Sequence, residues 1–435
     1  MKMTAIVGSV AMLGVAIGGT LLYVNGNTRA DNVADSVIPL YQRASERDLA
    51  AIERGRYVAI AGDCVACHTA PGSRDAFSGG YAIKTPFGGI YTSNITPDRE
   101  TGIGDWTERD FYRAVRHGKG IKGENLYPAM PYNAYVQVSD QDMHDLWLYM
   151  RTVKPIHNAV PETQLPFPYN IRLAMMGWNL LFFSNKGFEA DPTRSAQWNR
   201  GAYLIRGLEH CASCHTPKNA LGGDSNKTLQ GGNIGDWFAP DITNNEYTGI
   251  GRWTPEQIVQ YLKEGSNHVA VASGPMAEAV TNSTQHLTDG DLQAIATYLR
   301  TLPGSESRLP QALSGGEMMR QGEQVYSANC TACHNSNGKG IPHLAASLAD
   351  NPAIMAADPT SLLTTILQGG RGAVTHANPT SGAMPSFAWK LSDQQAAAVA
   401  TYIRNSWGNA AAPVTVKEVN ARREALKLPS QMPSQ

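Results

Sequence analysis

The chain has no surplus of charge of either sign: 36 Lys and Arg face 37 Asp and Glu, a formal net charge of -1 at pH 7. Without a basic excess there is nothing to displace counterions from a phosphate backbone, so a nucleic-acid partner is excluded. Charged residues make up only 17% of the chain, no long run of one sign occurs, and 42% of residues are hydrophobic. A disordered chain is excluded as well, and a length of 435 residues suggests about three domains. Catalytic strings are also missing. No G-x-S-x-G, P-loop or H-E-x-x-H sequence is present, and the match to G-x-G-x-x-G at residues 118–123 has no strand before it and reads as a loop.

Cysteine is absent except in one context. All six fall in C-x-x-C-H strings: Cys64, Cys67 and His68; Cys211, Cys214 and His215; Cys330, Cys333 and His334. Disulfide pairing would not place a histidine directly after every second cysteine. A zinc site needs four ligands in tetrahedral array, and these triads stand more than a hundred residues apart with no further Cys or His pair nearby. A redox dithiol belongs in a βαβ pattern, which none of the three has. The spacing fits covalent haem attachment. Two thioether bonds need sulfurs about one helical turn apart, and the adjacent histidine then lies under the iron.

The context repeats. Cys64 to Cys211 is 147 residues; Thr101-Gly102-Ile103-Gly104 recurs 147 on as Thr248-Gly249-Ile250-Gly251, and Trp106-Thr107 as Trp253-Thr254. A shorter third copy begins near Gly322 and lacks that middle segment. Each copy opens on a helix with a glycine eight to ten residues before the first cysteine: Gly55, Gly201 and Gly322. Each closes on a helix with a Ser or Thr before an Asp at its start: Ser139, Thr288 and Ser392. Nine residues after that Asp stands a tyrosine (Tyr149, Tyr298, Tyr402), then an apolar residue and an arginine. A small residue on the first helix and an aromatic on the last suit a close crossing beside a haem. The expected fold is all-α: three tandem cytochrome c-like domains at 45–155, 198–303 and 318–408, carrying three covalently bound haem c groups. Residues 156–197 and 304–317 are linkers, and 409–435 form a C-terminal tail.

The sixth iron ligand decides between electron transfer and small-molecule chemistry. Met130 and Met384 each precede a proline, and Met276 follows one, at one position of the repeat between haem motif and closing helix. These three are expected as axial ligands opposite His68, His334 and His215, while the other methionines fill gaps in the core. Thioether ligation raises the potential and suits electrons arriving from a reduced organic cofactor. A haem peroxidase needs one iron without a strong sixth ligand, and a terminal-oxidase subunit usually has fewer haems of this type. Both remain as alternatives. The remaining histidines do not recur at one repeat position, so surface or supporting roles are expected for them.

Residues 4–24 form an uncharged run of 21, long enough for a bilayer-spanning helix. Its length favours a membrane anchor; Thr28-Arg29-Ala30 keeps a cleaved signal peptide within residues 1–30 as the alternative. Either exports the chain. The apolar stretch from Leu173 to Phe183 in the first linker is too short to span a membrane and is expected to pack on a domain, touch the bilayer surface or dock a partner.

Taken as a set, the segments GRYVAIAGDCVACHTAPG and NRGAYLIRGLEHCASCHTPKNALGG, the two TGIG-x-W-T strings, the Met-Pro loops and the WNLLFF linker resemble the three-haem cytochrome c subunits of bacterial membrane-bound alcohol, gluconate, 2-ketogluconate, sorbitol and fructose dehydrogenases. The resemblance covers roughly residues 45 to 408. It implies a separate flavoprotein catalytic subunit (quinoprotein as the alternative) with a small third subunit, and electrons handed to ubiquinone on the periplasmic side of the cytoplasmic membrane. It also implies that the isolated chain is not an enzyme.

Overall fold

Three times along the chain two helices cross at a glycine, because a side chain there would strike backbone. A Cβ on Gly55 would lie 1.8 Å from the Asp145 carbonyl oxygen, on Gly201 1.9 Å from that of Ala294, and on Gly322 2.3 Å from that of Ala398. Each struck residue stands four before Tyr149, Tyr298 or Tyr402, whose Cβ is the next obstacle. The glycine and the tyrosine turn are therefore the two halves of one contact.

The computed structural model describes residues 46–306 and 310–429. The hydrophobic segment at residues 4–24 lies outside them, and no helix among the described residues is long and apolar enough to cross a membrane. The first domain runs α1 (Glu46–Ala61), β1 (Ala82–Thr85), β2 (Gly88–Tyr91), α2 (Glu108–His117) and α3 (Asp140–Met150). α4 (Ala174–Phe182) lies in the connection. The second domain follows with α5 (Ala196–Tyr203), β3 (Gln230–Ile234), β4 (Trp237–Asp241), α6 (Pro255–Glu264), α7 (Pro275–Asn282) and α8 (Asp289–Leu299). The third has α9 (Glu317–Asn329), α10 (Thr360–Gln368), β5 (Gly370–Arg371), β6 (Ala383–Met384) and α11 (Asp393–Arg404), with α12 (Val416–Ala425) after it.

The helical domains were expected; the three small antiparallel ladders, β1–β2, β3–β4 and β5–β6, were not. Strands of two to five residues leave too little alternation to read.

Local signals explain the helix ends. Ser139, Thr288 and Ser392 each accept a hydrogen bond from the amide three residues on, capping α3, α8 and α11. The threonines closing the TGIG-x-W-T strings are caps too: Thr107 and Thr254 form capping boxes with Asp110 and Gln257 at α2 and α6. Gly201 stands one residue further from its cysteine than Gly55 does. A wider π-type turn at Leu204–Leu208 absorbs the extra residue. The arginine two places after each tyrosine ties the closing helix to a loop. Arg151 donates to the Gly104 carbonyl at 2.8 Å and Arg300 to that of Gly251 at 2.9 Å, the two glycines again 147 residues apart, while Arg404 donates to Ile354 and Ala356 at 2.9 Å.

The first two domains share one continuous apolar core, to which Val58, Tyr135 and Leu146 contribute from one side and Leu204, Leu208 and Leu292 from the other. Their docking is reciprocal. Tyr57 donates to Asp291 at 2.6 Å and accepts from the Thr288 amide at 3.1 Å; Tyr203 donates to Asp142 and accepts from the Ser139 amide at 3.0 Å. Each domain's first helix thus binds the exposed amides at the start of the other's closing helix, as pseudo-twofold packing of duplicates requires. The third domain has a core of its own around Tyr326, Leu363, Leu367 and Val399. It meets the second through hydrogen bonds, Ser361 with the Phe238 amide at 2.8 Å and Thr364 with the Asp236 carbonyl at 2.8 Å, and through a small cluster of Ala272, Ala277, Val280 and Ala373.

Two segments outside the three expected domains carry structure of their own. The stretch read as a tail contains α12, capped by a Thr415–Glu418 box and pinned by the buried Arg423, which pairs with Asp393 at 2.8 Å and donates to the Ala388 and Leu391 carbonyls at 2.9 Å. Its one buried apolar residue, Val419, joins the third domain's core beside that polar anchor, too little to show an apolar periodicity. In α4 Trp178 is buried and donates to the Leu221 carbonyl at 3.0 Å, yet Leu180 and Leu181 are 82% and 67% exposed. That helix packs by one face and leaves an apolar ridge outside.

Candidate functional site

Each C-x-x-C-H string folds as a single helical turn that carries the histidine at its end. The amides of His68, His215 and His334 all bond back to the carbonyl of the first cysteine at 2.9 Å. The rings are then held alike. Nδ1 of His68 meets the Ser93 carbonyl at 2.7 Å, that of His215 the Pro240 carbonyl at 2.7 Å, and that of His334 the Ala346 carbonyl at 3.0 Å. A carbonyl only accepts, so Nδ1 carries the proton and donates, which leaves the Nε2 lone pair for a metal. Ser93 and Pro240 are again 147 residues apart. Loss of hydration inside the protein lowers all three imidazoles below their usual range, which keeps them in the neutral, ligating form.

The thiols are unsuited to the two alternatives weighed against haem. None is in a disulfide. Burial pushes Cys64 and Cys67 up to about 12 and Cys330 up to about 11, with Cys211 and Cys214 also raised. Redox dithiols and zinc thiolates need the opposite shift. Among the described residues no group of three or more His, Cys, Asp or Glu converges on a metal position.

The three methionines occupy different local structures. Met130 precedes the turn Tyr132–Tyr135, Met276 is in the first turn of α7, and Met384 is in β6, paired with Gly370. Met143 and Met150 are fully buried filler, whereas these three are only half-buried. Met130 and Cys64 pack on the same core, as do Met384 and Cys330. Met276 instead packs with Ala272, Ala277, Val280 and Ala373, on the face turned to the third domain.

The residues present fit a haem. The fit rests on the single tautomer imposed on three histidines, on paired thiols one turn apart, and on the buried Trp253 Nε1, which has no acceptor among the described residues and suits an acidic group of the porphyrin. The sequence reading missed Tyr57 and Tyr203, although each stands two residues after a crossing glycine. It also missed Asp63, Glu209 and His210, which stand at the junction of the first two domains and have no repeated signature.

Three helical domains, each carrying such a turn after its first helix, define a multidomain cytochrome c with covalently bound haem. The family model for cytochrome c matches residues 52–154, 200–303 and 319–407. The chain belongs to that family. It is 39% identical over 397 residues to the gluconate 2-dehydrogenase cytochrome c subunit of Pantoea cypripedii, covering 86% of this chain and 90% of that one. It is 40% identical over 401 residues to the fructose dehydrogenase cytochrome subunit of Gluconobacter japonicus (85% and 82% covered). It is 38% identical over 394 residues to the alcohol dehydrogenase (quinone) cytochrome c subunit of Gluconobacter oxydans strain 621H (86% and 82%). With relatives of this kind over most of its length, the chain is an electron-transfer cytochrome rather than a substrate-oxidising enzyme. These relatives do not favour the oxidase and peroxidase alternatives.

Proposed function

We propose that the chain carries three haem c groups, on Cys64 and Cys67, on Cys211 and Cys214, and on Cys330 and Cys333, with irons between His68 and Met130, His215 and Met276, and His334 and Met384. It passes electrons from a dehydrogenase catalytic subunit to ubiquinone at the periplasmic side of the cytoplasmic membrane. The observation that carries this reading is the threefold Nδ1-to-carbonyl hold on a C-x-x-C-H turn. Each haem, when bound, supplies a one-electron carrier. The protein orients the imidazoles through those carbonyls, excludes water with the core shared by the first two domains and the third domain's own core, and offers methionine sulfur to raise the potential.

The relatives act beside gluconate, fructose and alcohol dehydrogenases. A sugar-acid or alcohol oxidation is accordingly the source of electrons, with a flavoprotein catalytic subunit preferred over a quinoprotein one, and a small third subunit in the complex. The exposed ridge at Leu173, Leu180 and Leu181 is an apolar patch of the kind that marks an interaction surface. Rapid mixing tests the role. The oxidised chain with substrate alone is expected to stay oxidised, with substrate and reduced partner to reduce at once, and with a ubiquinone analogue to reoxidise. Reduction by substrate without a partner would overturn the reading.

A further inference from the structure

The turn that leads into the first haem motif is covered by the second domain. The Gly62 carbonyl accepts from the Tyr135 hydroxyl at 2.8 Å and faces His210 Nε2 at 3.4 Å, and the Ala61 carbonyl accepts from Ser283 at 3.5 Å. The next residue is Asp63, in the left-handed region at φ 47°. Its Oδ1 is closed off from solvent without a hydrogen-bond partner among the described residues, and so is Oε1 of Glu209 across the interface. Glu209 keeps one bond, from Ser283.

Two carboxyl groups at one domain junction, each with an oxygen cut off from water, cannot both be ionised cheaply. Burial and then the facing Glu278 push Asp63 up to about 8. Burial and then Asp63 hold Glu209 well above the carboxylate range, with Asp291 adding to this and Arg200 opposing it. The other groups here, Tyr135 and His210, are desolvated and neutral. The pair also reaches every sulfur of the first two motifs: the Asp63 charge acts on Cys64, Cys67 and Cys214, and that of Glu209 on Cys211. The third motif differs. Cys330 is preceded by Asn329 and faces Lys390.

We propose that Asp63 and Glu209 are the proton-accepting groups of the first two haem sites, taking up a proton when an electron arrives there and releasing it when the electron leaves, so that those two potentials depend on pH and the third does not. The electron comes from the chain's own electron-transfer activity. The proton comes from solvent water and forms an O–H bond at the carboxylate, and the added negative and positive charges cancel. On reoxidation that bond breaks and both leave. The role is one of positioning charge. A neutral carboxyl favours the reduced state and a carboxylate the oxidised one, so the potential is high at low pH and falls as pH rises.

This rests on haem attachment at Cys64, Cys67, Cys211 and Cys214, which a pyridine haemochrome count checks separately. The test is a spectroscopic redox titration of the full chain between pH 6 and 9. Met384→Ala identifies the third component by moving it alone. In the native chain the first two components are expected to fall by up to about 59 mV per tenfold drop in proton concentration at their steepest, and the third to stay level. Asp63→Asn, whose side chain tolerates the left-handed backbone, and Glu209→Gln should each flatten the slope and leave the haem count unchanged. A native chain with level potentials, a slope that survives both substitutions, or an equal slope at the third haem would each overturn the proposal.

Discussion

Gly201→Ala is expected to cost about 3 kcal/mol or more and to deplete the folded, haem-loaded chain. The added Cβ would stand 1.9 Å from the Ala294 carbonyl oxygen and 2.9 Å from the Tyr298 Cβ. The first obstacle is backbone, so no rotamer change relieves it and α5 and α8 must separate. Overpacking of a tight core commonly costs about 1–3 kcal/mol, and here the separated helices also belong to the core shared by two domains. Against a total stability of about 5–15 kcal/mol for a typical domain this is a large fraction. Gly177→Ala, on α4 with nothing within 4 Å of its Cβ position, is the control and should leave stability unchanged or slightly raised. Chemical denaturation of both variants decides the matter: equal midpoints would show that the crossing is not tight.

Met130→Ala, Met276→Ala and Met384→Ala are each expected to remove one share of the near-infrared band of methionine-ligated ferric haem and to lower one potential. The band depends on the sulfur–iron bond, and losing the thioether withdraws the ligand that raises the potential. Unlike the fully buried Met143, each of the three is only half-buried, before a helical turn, at the start of α7 and in β6 respectively. Met276 is the informative case, because it packs toward the third domain and not on the core that Cys211 joins. A band that survives intact in any one variant excludes that methionine as a ligand.

What could be read from residues alone was whatever a local rule forces. The C-x-x-C-H turns are set by covalent chemistry, the caps by unpaired amides, and the crossing glycines by a steric limit that recurs wherever two helices meet that closely. The contacts between domains were not legible. Nothing in the sequence says that Tyr57 crosses to Asp291, since that contact is non-local and polar. α12 escaped because Arg423 and the single buried Val419, not an apolar stripe, hold it. α4 was legible as apolar but not as half-exposed, because hydrophobicity does not tell a buried face from a docking face.

The central claim is that three turns of one design each hold a haem covalently. The most direct measurement is a pyridine haemochrome assay on the purified full-length chain after washing in acid acetone. Three haems per chain, none of them extracted, is the result expected from three intact attachment strings; two per chain, or haem released into the acetone, would contradict it.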